Sequence, residues 1–86
     1  MYSVYLLENQ NDRSWYIGFT TNLKRRIFEH NNKQGGRTTI IKQGKWKLIY
    51  AEAYVDRNDA LGREKFLKSG SGYRYLKKQL KNYLEK

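Results

Sequence analysis

The chain has no cysteine, no proline and a single histidine. Without cysteine there is no disulfide framework and no thiolate metal site, and one histidine leaves too few ligands for a structural zinc. No apolar run reaches the roughly 18 residues that a membrane-spanning helix requires. The opening Tyr2-Ser3-Val4-Tyr5-Leu6-Leu7 lacks a cationic lead-in and is too short for a secretion signal, so a cytoplasmic location is expected. Acidic residues are also scarce: eight Asp and Glu against eighteen Lys and Arg give a net charge of +10. An excess of that size serves solubility, but it also creates a field that attracts polyanions, nucleic acid ahead of a membrane surface. What is abundant is aromatic: 15% of the 86 residues are Phe, Trp or Tyr. That supplies enough large apolar groups for a compact core and argues against a disordered basic tail. The length fits one small domain spanning residues 1–86.

Residues 2–8 alternate with a period of two, and Trp15-Tyr16-Ile17-Gly18-Phe19 resumes the pattern after the turn-forming Asn9-Gln10-Asn11-Asp12, which predicts a hairpin. Tyr5 and Tyr16 can then share one face, although the register is open. Thr21 or Asn22 is placed to cap a helix running to about Asn32, with Leu23 and Ile27 inward and Arg26 stacked beneath His30 one turn later. Gln34-Gly35-Gly36 ends that helix, and Arg37 to Lys45 reads as a basic loop. Trp46 to Tyr54 is a third strand, which its apolar content predicts to be the central one. Asp56 is a natural N-cap for a second helix, in which Ala60, Glu64 and Leu67 follow one face. Ser69-Gly70-Ser71-Gly72 breaks the chain before a last helix with Leu76, Leu80, Tyr83 and Leu84 inward. The predicted class is α+β, a small three-stranded antiparallel sheet flanked by about three helices.

Glu64 is the residue that folding explains least, because a carboxylate on a core-facing stripe is costly unless it is paired or bound to a metal. A half-buried salt bridge to Arg26 or a neighbouring lysine is one solution. A magnesium ion is the other, since Mg²⁺ keeps most of its waters and needs only one or two protein carboxylates. Arg26 and His30 read either as solvated residues on a basic helix or as a charge stabiliser and a proton carrier at a phosphoryl group. Tyr5 and Tyr16 are either core residues or general bases, and the second role needs nearby positive charge to depress a phenol that normally titrates near 10.

Together these residues resemble the GIY-YIG nuclease superfamily, in particular its small standalone bacterial members. Tyr16-Ile17-Gly18 matches the second half of the name motif, and Ser3-Val4-Tyr5 stands in for Gly-Ile-Tyr. Arg26 and His30 fall at the spacings of the family's arginine and its downstream His or Tyr, and Glu64 falls where the family carries its metal-binding glutamate. The resemblance implies a metal-dependent endonuclease acting on nucleic acid, with DNA, branched or damaged DNA included, favoured over RNA, and with no membrane partner. Its catalytic residues would be Tyr5, Tyr16, Arg26, His30 and Glu64, with Glu64 holding Mg²⁺ or Mn²⁺. Phosphate contacts are expected from Lys24, Arg25, Arg37, Lys65, Lys68, Lys77 and Lys78. The competing reading is a nucleic-acid-binding module whose catalysis has decayed.

Overall fold

The computed structural model describes residues 1–34, 39 and 41–86. Three antiparallel strands, β1 (Tyr2–Asn9), β2 (Trp15–Thr20) and β3 (Trp46–Tyr54), form one sheet in the order β2-β1-β3. Helix α1 (Leu23–Asn31) lies between β2 and β3 in sequence, and α2 (Arg57–Leu67), α3 (Gly70–Gln79) and α4 (Lys81–Leu84) follow β3. The α+β class with a three-stranded antiparallel sheet is as expected. The centre of the sheet is not: β1 is central and β3 is an edge. The reason is burial on both faces, which runs unbroken from Val4 to Asn9 in β1, whereas β3 exposes Lys47, Ala51 and Ala53.

Two apolar clusters lie on opposite faces of the sheet. Val4 and Leu6 of β1 pack with Ala60, Leu67 and Leu76 of α2 and α3. Tyr5 and Leu7 point the other way, to Trp46, Tyr16 and the α1 residues Leu23 and Ile27. A bulge opposite Leu6 and Leu7 leaves Ile49 without a β1 partner, and Ile49 joins the first cluster. Fully burying a side chain of the size of Leu67 or Leu76 contributes roughly 1.5–3 kcal/mol.

Local signals fix the joints. The Asn9 side chain, fully buried, accepts from the Asn11 and Asp12 backbone N–H groups at 2.8 and 3.1 Å and so closes the β1–β2 turn. Asn22, not Thr21, caps α1, its Oδ1 accepting from the Arg25 N–H at 3.1 Å. At the other end of α1, Asn31 clamps the start of β3, donating to the Trp46 carbonyl at 3.0 Å and accepting from its N–H at 2.7 Å. Asp56 caps α2 as expected. The glycine-rich Ser69–Gly72 is not a break, since Ser69 caps α3 and both glycines lie inside it. A Cβ on Gly72 would sit 2.1 Å from the Phe66 carbonyl oxygen, so α3 can start directly against the end of α2 only with glycine there. The last helix divides at Leu80 into α3 and α4. Among the described residues no helix is long and apolar enough to cross a membrane.

Candidate active site

Tyr5 of β1 stands opposite Gly18 of β2 in the antiparallel register, and its phenol lies across that glycine toward the free edge of β2. A Cβ on Gly18 would fall 2.3 Å from the Tyr5 hydroxyl oxygen and 2.4 Å from Cζ. The glycine therefore makes room for the tyrosine. Tyr16, two residues earlier on β2, shares this face, with its ring 6.4 Å from that of Tyr5. The period-two reading of the hairpin thus has the two phenols on one side of the sheet, and the register places them next to each other.

Helix α1 brings the next two groups. His30, in its last turn, is fully buried, so it is not one of the solvated residues of a basic helix. Its Nε2 is 2.8 Å from the Tyr5 hydroxyl and its Nδ1 is 2.7 Å from the Thr39 hydroxyl. Tyr16 meets the imidazole edge-on at 4.9 Å between ring centroids. Burial, helped by the Arg26 charge, pushes His30 down to about 4, so the imidazole is neutral at pH 7. Burial likewise pushes Tyr5 up to about 12, although Arg26 acts against the rise. Arg26 itself is anchored by Glu29, to which its Nη1 donates at 3.0 Å, and this bond stabilises the guanidinium further. Glu29 also sits 3.8 Å from Arg25, on the exposed side of the helix.

Glu64 comes from α2, on the stripe between the buried Ala60 and Leu67. Its partner is Lys68, whose Nζ lies 3.1 Å away, rather than Arg26. The pair is lopsided in exposure: the Glu64 side chain is 20% exposed and that of Lys68 55%. Its charge still reaches Tyr5, where it opposes loss of the phenolic proton. Among the described residues no three or more His, Cys, Asp or Glu side chains gather as a metal cage. The donor set is one hard carboxylate oxygen group beside a displaceable surface lysine. Such a set suits Mg²⁺ or Mn²⁺ with retained waters and does not suit zinc.

Of the residues expected to contact phosphate, Lys24, Arg25, Lys65, Lys68, Lys77 and Lys78 are all exposed. Arg37 lies outside the described residues. Lys77 belongs elsewhere, over the ring of Tyr73 at 5.4 Å on the opposite side of the sheet. Three further residues enter this site: Gly18 as the floor under Tyr5, Glu29 as the anchor of Arg26, and Thr39 as the partner of His30. Gly18 and Glu29 carry a signal, one inside the motif and the other three residues after Arg26. Thr39 carries none.

Comparison with known proteins gives the arrangement a relationship. A UPF0213 protein of Limosilactobacillus reuteri is 43% identical over 58 residues, covering 66% of this chain and 60% of that protein. A UPF0213 protein of Pediococcus acidilactici is 39% identical over 72 residues, covering 83% of this chain and 72% of that one. The chain thus spans somewhat under two thirds of the first of these relatives and somewhat over two thirds of the second. The solution structure of a UPF0213 protein from Bacillus halodurans superposes with a TM-score of 0.53 at 33% identity, over 88% of this chain and 82% of that one. Residues 1–82, from β1 into α4, match the GIY-YIG catalytic domain, and the chain belongs to that nuclease family.

Proposed function

We propose that this protein is a divalent-metal-dependent endonuclease that hydrolyses phosphodiester bonds in DNA. The observation that carries the reading is the meeting of Tyr5, Tyr16 and His30 on one face of the sheet, with the Arg26 charge acting on both phenols. In the reaction a water oxygen bonds to phosphorus and the bond from phosphorus to the leaving oxygen breaks. Tyr5 takes the proton of the attacking water while passing its own to Nε2 of His30, and Thr39 holds the far side of the imidazole. Arg26 faces the charge that builds on the phosphoryl oxygens. Tyr16 packs against the imidazole and orients it. Glu64 would hold the metal, which supplies charge neutralisation at the phosphate and leaving group when bound.

The directions of the two shifts say when this relay works. Burial pushes the Tyr5 phenol up and the His30 imidazole down, so passing a proton between them in the free protein is uphill. The resting pair is therefore neutral. A phosphate beside Arg26 would raise the imidazole, and Glu64 would hold the cation whose charge favours the ionised phenol, so bound substrate and metal would both ease the transfer. The exposed Lys24, Arg25, Lys65 and Lys68 add sequence-independent attraction for the backbone.

A nicking assay on branched and duplex DNA with Mg²⁺ tests the reading. Wild type is expected to nick, and Glu64→Ala to lose nicking while keeping salt-sensitive binding. Binding without cutting by the wild type, under Mg²⁺ and Mn²⁺ alike, would replace the enzyme with a binding module. The pairing of Glu64 with Lys68 is the feature that such a module would keep for folding alone.

A further inference from the structure

A second constellation lies across the sheet from the phenols. Glu8, Trp15 and Lys47 are register partners at one end of the sheet, where all three point to the α3 and α4 side. They line a cleft of about 800 Å³ together with Tyr73 of α3 and Tyr83 of α4. A carboxylate is the pin of this cleft. Glu8 is only 4% exposed and accepts from the Tyr83 hydroxyl at 2.7 Å and from Trp15 Nε1 at 3.3 Å, with Arg13 Nη1 at 3.4 Å. Burial alone would raise its pKa, but these donors outweigh it and keep the group ionised. The aromatic walls are therefore held in place before any ligand arrives. Tyr73 lies 5.2 Å from Trp15 with the ring planes tilted by 49°, and it remains 49% exposed, so its edge of the cleft is open to a partner. Cations stand over the walls, Lys77 Nζ at 5.4 Å from the Tyr73 centroid and Lys47 Nζ at 5.3 Å from that of Tyr83.

We propose that this cleft is a second nucleic-acid site, which stacks one unpaired base of a DNA strand on Tyr73 and Trp15 and holds its phosphates with Lys47 and Lys77. The chemistry selects against simpler ligands. The Glu8 charge on the floor repels a bare phosphate, so the anion belongs at the rim and an aromatic group belongs inside. Paired aromatics beside lysines are the means by which single strands are bound without sequence preference. A strand is favoured over a free nucleotide by position: Trp15 and Tyr16 are consecutive on the free-edge strand β2 and point to opposite faces. An unpaired strand passing around that edge meets the cleft on one side and the phenols on the other. The proposal shares with the nuclease reading only the class of partner.

The test is binding without divalent metal, in EDTA, read by anisotropy of a fluorescein-labelled 12-nucleotide oligothymidylate, with a duplex of equal length and dTMP as comparisons. Tyr73→Ala is expected to weaken oligothymidylate binding by about 5-fold or more and to leave duplex binding within about 2-fold. Lys77→Ala, at an exposed position that risks nothing in the fold, should lower the slope of log affinity against log salt by about 0.7 for the single strand. Unchanged single-strand binding in both variants would overturn the proposal, as would an equal loss for duplex. So would dTMP binding as tightly as the oligomer, which would make the cleft a mononucleotide site. A wild type that nicks, with Tyr73→Ala and Lys77→Ala variants that bind the single strand as it does, breaks this inference alone. Single-strand binding that behaves as expected in a wild type that never nicks breaks only the nuclease reading.

Discussion

The two faces of the sheet treat their polar groups in opposite ways. On the α2 side, Glu52 is saturated: Arg63 forks onto it with Nε at 2.9 Å and Nη2 at 3.0 Å, and the Tyr50 and Tyr54 hydroxyls donate to it as well. The Arg63 guanidinium in turn lies 4.5 Å from the Tyr75 ring centroid. Charge is cancelled on the spot, and the result is a lock that fastens α2 to β3. On the α1 side the chain Tyr5–His30–Thr39 is buried, and among the described residues it is joined through hydroxyl groups rather than an ion pair, while burial and Arg26 hold the imidazole neutral against the weaker pull of Glu29. One network uses its hydrogen bonds to hold the fold, and the other aligns the proposed proton-transfer groups through neutral hydrogen bonds. Arg63 and Glu64 are neighbours in sequence, so the lock on one face also sets where the candidate metal ligand on α2 stands.

The comparison breaks most visibly at the arginines. Arg26→Ala is expected to cut single-turnover cleavage by about 100- to 1000-fold, with melting temperature little changed because its partner Glu29 is itself partly exposed. Arg63→Ala should do the reverse in kind, costing about 2–4 kcal/mol of stability in a denaturant titration by stranding Glu52. If Arg63→Ala leaves stability intact, the lock is not a lock.

Acid titration sharpens the contrast. His30 titrates near 4 in the folded chain and near 6.5 when unfolded, so between those values the unfolded state binds the extra proton and stability falls as pH falls. The loss amounts to roughly 3 kcal/mol across that window. The charged neighbours of His30 do not reverse the sign, because Arg26 opposes its protonation more than Glu29 favours it. His30→Gln should flatten the dependence of melting temperature on pH between about 6.5 and 4. Glu52 and Glu8, both held below the usual carboxylate range, contribute their stability above an unfolded value near 4.5 and lose it as pH falls lower. A slope that survives His30→Gln would mean that the buried imidazole is not neutral.

Gly18→Ala probes the floor of the site. Its Cβ must displace the Tyr5 phenol, so a loss of about 1–3 kcal/mol in stability is expected together with loss of cleavage. The smallest effect belongs to Arg25→Ala, whose loose pairing with Glu29 should be worth less than about 1 kcal/mol, while binding weakens a few-fold at low salt.

What the sequence revealed follows from the range of the signals. The hairpin, the cap at Asp56, the cap at Thr21 or Asn22 (the structure has Asn22) and the interrupted stripe at Glu64 are local patterns, and they hold. Apolar content points to β3 as the central strand but does not report neighbours: β1 carries Ser3, Tyr5 and Glu8, yet pairs on both sides. Gly70 and Gly72 look like a linker, but the close approach of α3 to the end of α2 is a tertiary demand that composition cannot announce. The same holds at the site. Motif spacing singles out Tyr5, Tyr16, Arg26 and His30 as candidates, whereas the burial that neutralises His30 and the hydroxyl of Thr39 beside it arise only when the chain closes.

Tyr5→Phe bears most directly on the central claim, since it removes one oxygen and keeps the ring that packs over Gly18. In single-turnover cleavage of branched DNA with Mg²⁺, the variant is expected to lose about 100-fold or more in rate with substrate affinity near that of wild type, and about 1–3 kcal/mol of stability because the buried His30 Nε2 loses its partner. A variant that cuts as fast as wild type would contradict the account, because the hydroxyl that joins water to His30 would then have no part in the reaction.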